Sequence, residues 1–208
     1  MPLISSIGRR FAKAEAAAPA PAPPPGQLLT NSNFLSGTTG WTSSSGFGTF
    51  SYSFASQPAV TTSVDYSGRA WPGYSNTGSN GYLVFSYAVA TVSQTVSVSA
   101  TIASINTFTG VINLINVPNP TGSGTDSFYF EILYKNSAGT TLYTSRTPAS
   151  GTQAPPNTYT SYTLTLTRSG NANFGQIASV TVNINGIDNN FWNGNYGPCV
   201  DYCTLTAS

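Results

Sequence analysis

Two neighbouring segments of this chain hold the residue types from which chemistry is built. GPCVDYCTLTAS, residues 197–208, contains both cysteines of the molecule with Asp201 between them. Just upstream, DNNFWNGNYGP carries the aromatic pair Phe191 and Trp192 among amides. The two cysteines could form a metal knuckle, a redox pair or part of a strand. As a strand, four extended residues span ~13 Å, whereas a disulfide needs Cα atoms within ~7 Å, so Cys199 and Cys203 would not bridge. The chain has no histidine and no third cysteine to complete a zinc site. The strand reading is therefore preferred, with Cys199, Asp201, Cys203 and Leu205 on one face and Asp201 turned inward and held by backbone N–H groups.

The absence of histidine also removes the common general base and every Ser-His or Cys-His arrangement. The carboxylates Asp126, Glu131, Asp188 and Asp201 are too scattered to nominate a glycosidase pair, which needs two about 5–10 Å apart. Glu131 alternates with Phe130 and is expected on a solvated face. No catalysis is expected. Trp192 and its neighbours suit a different task. An indole face stacks on the apolar face of a sugar ring while amides read its hydroxyls. The competing reading makes Trp192 a cap on the core, in a turn allowed by Gly194 and Gly197. Trp41 and Trp71 are expected in the core or at its rim, and Trp71, in GRAWPGYSNTGSNGY, could also face a ligand.

The elements that must position these residues are strands. Phe50, Tyr52 and Phe54 alternate with Ser and Thr; so do Phe128, Phe130, Ile132 and Tyr134, then Tyr162, Leu164 and Leu166, then Val180, Val182 and Ile184. A period of two marks sheets with one face buried and one wet. YKNSAGTTLY reads as a hairpin with NSAG at the turn. NVPNPTGSGTD and TPASGTQAPPNTY read as loops, and no part of the body carries sustained helical periodicity. The expected fold is all-β, an antiparallel β-sandwich of jelly-roll type. Only 6% of the 208 residues are charged, against a usual ~25%, so hydroxyls and amides supply the solubility. That surface suits sugars or packing into an assembly. Net charge is +1, which gives no general affinity for nucleic acid. No apolar run is long enough for a transmembrane helix.

Several stretches resemble known modules. LLTNSNFLSGTTGWT is similar to the opening of carbohydrate-binding jelly rolls, and VSQTVSV to a later strand of the same modules. NGIDNNFWNGNYGPCVDYCTL resembles the closing segment of galactose-binding-like sandwiches and of the F-box-associated sugar-binding domains. The second likeness implies that Phe191, Trp192 and Asn193 touch glycan, although that family carries lysine where Asn193 stands. Related modules also bind a structural calcium through the last strand and the first. Asp201 is the matching position, but Leu35 stands where those modules have glutamate, which argues against the ion. No other cofactor is implied.

Residues 1–26 form a separate arm, and residues 27–208 the sandwich domain. Leu3, Ile4, Ile7 and Phe11 recur at helical spacing with Arg9, Arg10 and Lys13 among them, followed by the stiff spacer AAAPAPAPPPG. The positive charges follow the apolar residues, unlike a signal peptide. An assembly anchor is preferred, with a disordered tail and a membrane-surface helix as alternatives. MPLISSIGRR resembles the starts of tailed-phage structural proteins, especially those of cyanobacterial phages. These readings imply a non-enzymatic protein at the virion surface, as a capsid decoration, head fibre or appendage component. Its expected partners are other virion proteins, further copies of itself in a homo-oligomer or symmetric assembly, and a host-surface glycan. The alternative is a carbohydrate-binding module with no particle.

Overall fold

The computed structural model describes residues 26–34, 36, 38–44, 60–63, 82–85, 88–117, 126–188 and 197–208. Among them, ten strands form two five-stranded antiparallel sheets. The strands are β1 (Thr42–Ser43), β2 (Val60–Ser63), β3 (Tyr82–Phe85), β4 (Ala88–Ser97) and β5 (Thr107–Val117), then β6 (Ser127–Lys135), β7 (Thr141–Thr147), β8 (Thr160–Thr167), β9 (Ser179–Asp188) and β10 (Gly197–Ala207). One sheet runs β2-β3-β10-β5-β8 and the other β1-β4-β9-β6-β7. The all-β sandwich expected from the alternation is the architecture observed. The only helical pieces among the described residues are the short 3-10 turns Ile102–Ser104 and Phe174–Gln176. No described helix is long and apolar enough to cross a membrane.

Each sheet turns its apolar positions inward. Phe128, Phe130, Ile132 and Tyr134 of β6 and Val180, Val182 and Ile184 of β9 are all buried, facing Phe108, Ile112 and Leu114 of β5. Tyr162, Leu164 and Leu166 also pack on this core but stay half-buried, because β8 lies at a sheet edge. Sheets approach closely where side chains vanish: a Cβ on Gly186 would overlap the Phe85 ring. The β6–β7 turn follows the hairpin reading. The Asn136 side-chain oxygen accepts from the N–H groups of Ala138 and Thr140, at 3.0 and 2.9 Å. The expected strand at Phe50, Tyr52 and Phe54 lies outside the described residues, as do residues 1–25 and residues 118–125 of the expected NVPNPTGSGTD loop, whose first two residues, Asn116 and Val117, instead end β5.

The closing strand corrects one expectation. β10 pairs with β5 along its length, but the register slips between Val200 and Tyr202, leaving Asp201 in a bulge. An extra residue reverses the alternation. Val200 then pairs with Leu114, Cys203 with Ile112 and Leu205 with Gly110, all facing inward, while Cys199 pairs with Ile115 on the outer side. The two cysteines thus lie on opposite faces of the sheet, both buried and both free thiols. They cannot bridge, for a stronger reason than their spacing.

Two buried acids sit in the core. Burial pushes the Cys203 thiol above its ordinary value of 9.0 and the Tyr134 phenol up from 10.0 to about 12. Ser145 offsets part of the Tyr134 rise, yet no well-aligned hydrogen bond reaches the phenol oxygen. Folding raises both values, so their stabilisation is complete below the unfolded values and declines as pH climbs past them. Stability should hold up to about pH 9 and then fall, by up to about 1.4 kcal/mol per pH unit for each group. Thermal melts across alkaline pH should show this, with Cys203→Ala flattening the first part of the decline and Tyr134→Phe the part above pH 10.

Candidate binding surface

The opening segment folds into a knot that docks the start of the domain. Asn31 and Phe34 both adopt positive φ, 49° and 55°, which is uncommon for asparagine and costly for a bulky residue. The Asn31 side chain holds the turn by accepting from the Ser36 N–H at 2.9 Å and donating to the Thr39 carbonyl at 3.2 Å. Phe34 is buried against Trp41, ring centroids 5.4 Å apart, and the indole N–H donates to the Asn31 carbonyl at 3.1 Å. Trp41 is therefore a core residue. Gln94, buried on β4, clamps the Thr30 backbone at both ends: its oxygen accepts from the N–H at 2.7 Å and its amide donates to the carbonyl at 3.1 Å. Sequence reasoning passed over Gln94. The signal was a lone amide among the inward valines of VSQTVSV, because a buried polar group needs partners.

The most elaborate polar cluster among the described residues lies on the outer face of the β1-β4-β9-β6-β7 sheet. Tyr129 and Glu131 project there from β6, Arg146 from β7, and Asn183 and Asn185 from β9. Glu131 and Arg146 pair across the strands at 3.4 Å, with only 18% and 17% of their side chains exposed. The expected solvated Glu131 is thus corrected: Asn183 also donates to it at 3.0 Å. The Arg146 guanidinium stacks 4.1 Å from the Tyr129 ring centre and donates to the Pro148 and Gly151 carbonyls at 3.1 and 2.6 Å. Asn185, buried, donates to the Ala90 carbonyl and the Thr91 hydroxyl, each at 3.0 Å. Two asparagines two apart in a central strand were the legible signal, since strands are depleted in asparagine.

This cluster spends most of its donors on the protein itself. Arg146 fastens the loop after β7 to the sheet, so its fork is not free to bind a carboxylate from outside. Charge is balanced within the pair, leaving a neutral amide, hydroxyl and phenol surface. Replacing Arg146 with alanine should leave Glu131 without its cation and free the 148–151 loop. A loss of about 1–3 kcal/mol in chemical denaturation and faster proteolysis near residue 150 are expected. Arg146→Lys should recover little of this, since an ammonium cannot fork to three partners.

The residues singled out for glycan contact, Phe191, Trp192, Asn193 and Trp71, lie outside the described residues, as do Leu3, Ile4, Ile7, Arg9, Arg10 and Phe11 of the arm and Leu35. Their flanks are described. Gly197 opens β10 at φ 97°, a left-handed conformation that favours glycine, and the buried Pro198 follows. Asp201 is half-buried in the bulge. Among the described residues no group of three or more Cys, Asp or Glu side chains is placed to hold a metal ion. Glu131 stands on β6 of one sheet and Asp201 on β10 of the other.

Strand register also fixes the two ends of the sandwich. Gly197 pairs with Val117, Val60 with Phe85, Ala88 with Asp188, and Ser127 with Ile187. Segments 45–59, 118–125 and 189–196 all leave described strands at this end. At the other end Ala207 pairs with Phe108 and Thr107 with Thr167. There Gln27 bridges Thr206 and the Ala207 N–H donates to the carbonyl of Gly26, the first described residue, at 3.1 Å. The eleven residues of β10 separate the two ends by roughly 35 Å.

No family model matches the chain, and no match appears among curated protein sequences. Solved structures share its fold. The Stig cyclase Fisc from Fischerella sp. TAU aligns over 88% of this chain and 97% of its own, at 12% identity and TM-score 0.53. The enzymatically active domain of tailspike protein 4 from bacteriophage CBA120 aligns over 88% of this chain at 13% identity and TM-score 0.50. This chain spans only 22% of that tailspike domain. The CBM22-1 xylan-binding domain of Paenibacillus barcinonensis Xyn10C aligns over 92% of this chain and 97% of its own, at 14% identity and TM-score 0.46. At such identities the likeness is one of fold: a β-sandwich.

Proposed function

We propose that this chain is a non-catalytic accessory protein of a viral particle, a decoration, head-fibre or appendage component. Residues 1–26 dock on neighbouring particle proteins, and the sandwich of residues 27–208 projects outward to touch host-surface glycans. The observation that carries this reading is the polarity of the domain. The arm departs beside Ala207, whereas the segment with Phe191 and Trp192 connects Asp188 to Gly197 at the opposite end. A rod anchored at one end and binding at the other needs that separation. Leu3, Ile4, Ile7 and Phe11 supply the apolar side of the anchor, and Arg9 and Arg10 its charge. Trp192 and Phe191 offer ring faces to a sugar, Asn193 and Trp71 are further candidates for contact, and the low charge of the body favours a neutral ligand.

Glycan-array binding by the purified full-length chain should be lost in Trp192→Ala while the melting temperature stays within a few degrees of the parent. Unchanged binding in that variant would sink the sugar-contact assignment. For the particle role, cryo-electron microscopy of native virions should show residues 1–26 following one fixed path against neighbouring subunits. Absence of the chain from purified particles, with glycan binding intact, would leave a carbohydrate-binding module with no particle.

A further inference from the structure

Edge strands expose unpaired backbone groups, and folded proteins blunt them with charge, proline, bulges or brevity. Three of the four edges here follow that rule among the described residues. β1 has two residues and β2 four, and β7 has a register slip beside Tyr134 and carries Arg146. β8 does not follow it. Its sequence, TSYTLTLT, has no charge, proline or glycine, and its eight residues pair with β5 without a break.

The phase of that ladder shows which groups are spare. The Arg168 N–H donates to the Asn106 carbonyl, while Thr107 and Ser208 exchange bonds on the opposite side of β5. Antiparallel alternation then turns Thr160, Tyr162, Leu164 and Leu166 toward β5, and the N–H and C=O groups of Ser161, Thr163, Thr165 and Thr167 away from it. Of these the Thr167 carbonyl alone is taken, by the Asn171 side-chain amide at 2.8 Å. Those four residues are exposed, and on the core side Tyr162, Leu164 and Leu166 remain half-buried.

We propose that β8 is a self-pairing edge, through which two copies of the chain join antiparallel, strand against strand, about a two-fold axis. Two features select a second copy as the occupant. An antiparallel two-fold sets β8 against itself in reverse order, so that centred on Leu164 it would place Tyr162 against Leu166. With no charge on β8, no register brings like charges together. The half-buried Tyr162, Leu164 and Leu166 would also meet the same residues of the second copy and complete each other's burial. Threonine pairs on the outer face add favourable cross-strand contacts. Since each copy offers one such edge among the described residues, pairing closes at two and does not propagate. The inference needs neither the glycan nor the particle reading.

Sedimentation and light scattering on the full chain over a dilution series test it. The parent should form a dimer that dissociates on dilution, and the Ser161, Thr163 and Thr165 amides should exchange more slowly in the dimer. Thr163→Lys introduces a charge into the seam, and Thr165→Pro removes an outward donor without touching the β5 ladder. Both should be monomeric at every concentration, with the melting temperature of the dilute protein preserved. Thr204→Lys, on the same outer face but on the central strand β10, should still dimerise. A parent that stays monomeric throughout would overturn the proposal, as would a dimer that survives both edge variants. Slowed exchange in residues 1–25 that rises with β8 protection would also overturn it, by making a neighbour's arm the occupant.

Discussion

The pairing of β10 is the constraint on which the rest of this molecule depends. A strand in the middle of a sheet must satisfy its backbone groups on both sides, and β10 does so with β5 along its length and with β3 over Cys199 and Val200. Where β3 ends, the opening segment takes over. Gln27 bridges Thr206, the Leu28 N–H donates to the Leu205 carbonyl at 2.8 Å, and the Cys203 N–H donates to the Ser32 carbonyl at 2.8 Å. The last strand thereby fixes the first described residues, Gly26 to Ser32, at one end and Gly197 at the other.

The bulge at Asp201 serves the same end. Without it, Val200 and Cys203 would point to opposite faces, and one of them would leave the core. With it, both contribute to the buried layer against Leu114 and Ile112. The cost is a ladder interruption at one residue, which the remaining pairs of the strand absorb. Polar clusters then brace the edges of the sandwich: Gln94 holds the opening segment, and Arg146 holds the loop after β7. Each uses a side chain with several donors or acceptors to secure backbone that no neighbouring strand reaches.

Much of the fold was legible because burial on one face of a strand imposes a period of two. The aromatics of β6, the valines of β9 and the hairpin at Asn136 were placed correctly for that reason. The closing strand was misread at its centre because a bulge leaves no mark in alternation; GPCVDYCTL reads as an unbroken strand. The outer-face cluster was missed because polar residues on the wet side of a strand look solvated. Glu131 is held by Arg146 and Asn183, which stand 15 and 52 positions away in the chain, and only pairing of β6 with β7 and β9 brings them together.

By itself the sequence determined the all-β fold class and that Cys199 and Cys203 do not bridge each other. Those follow from composition, period and reach, which are local properties of a chain. Only tertiary structure decided that Cys199 and Cys203 face opposite ways, that Trp41 is core, and that Glu131 is paired. It alone also put Gly26 at one end and Asp188 and Gly197 at the other, and left β8 paired on one side only among the described residues. The reason is physical in each case. Strand register and sheet order are set by which distant backbone groups find one another, and no window of the sequence contains both partners.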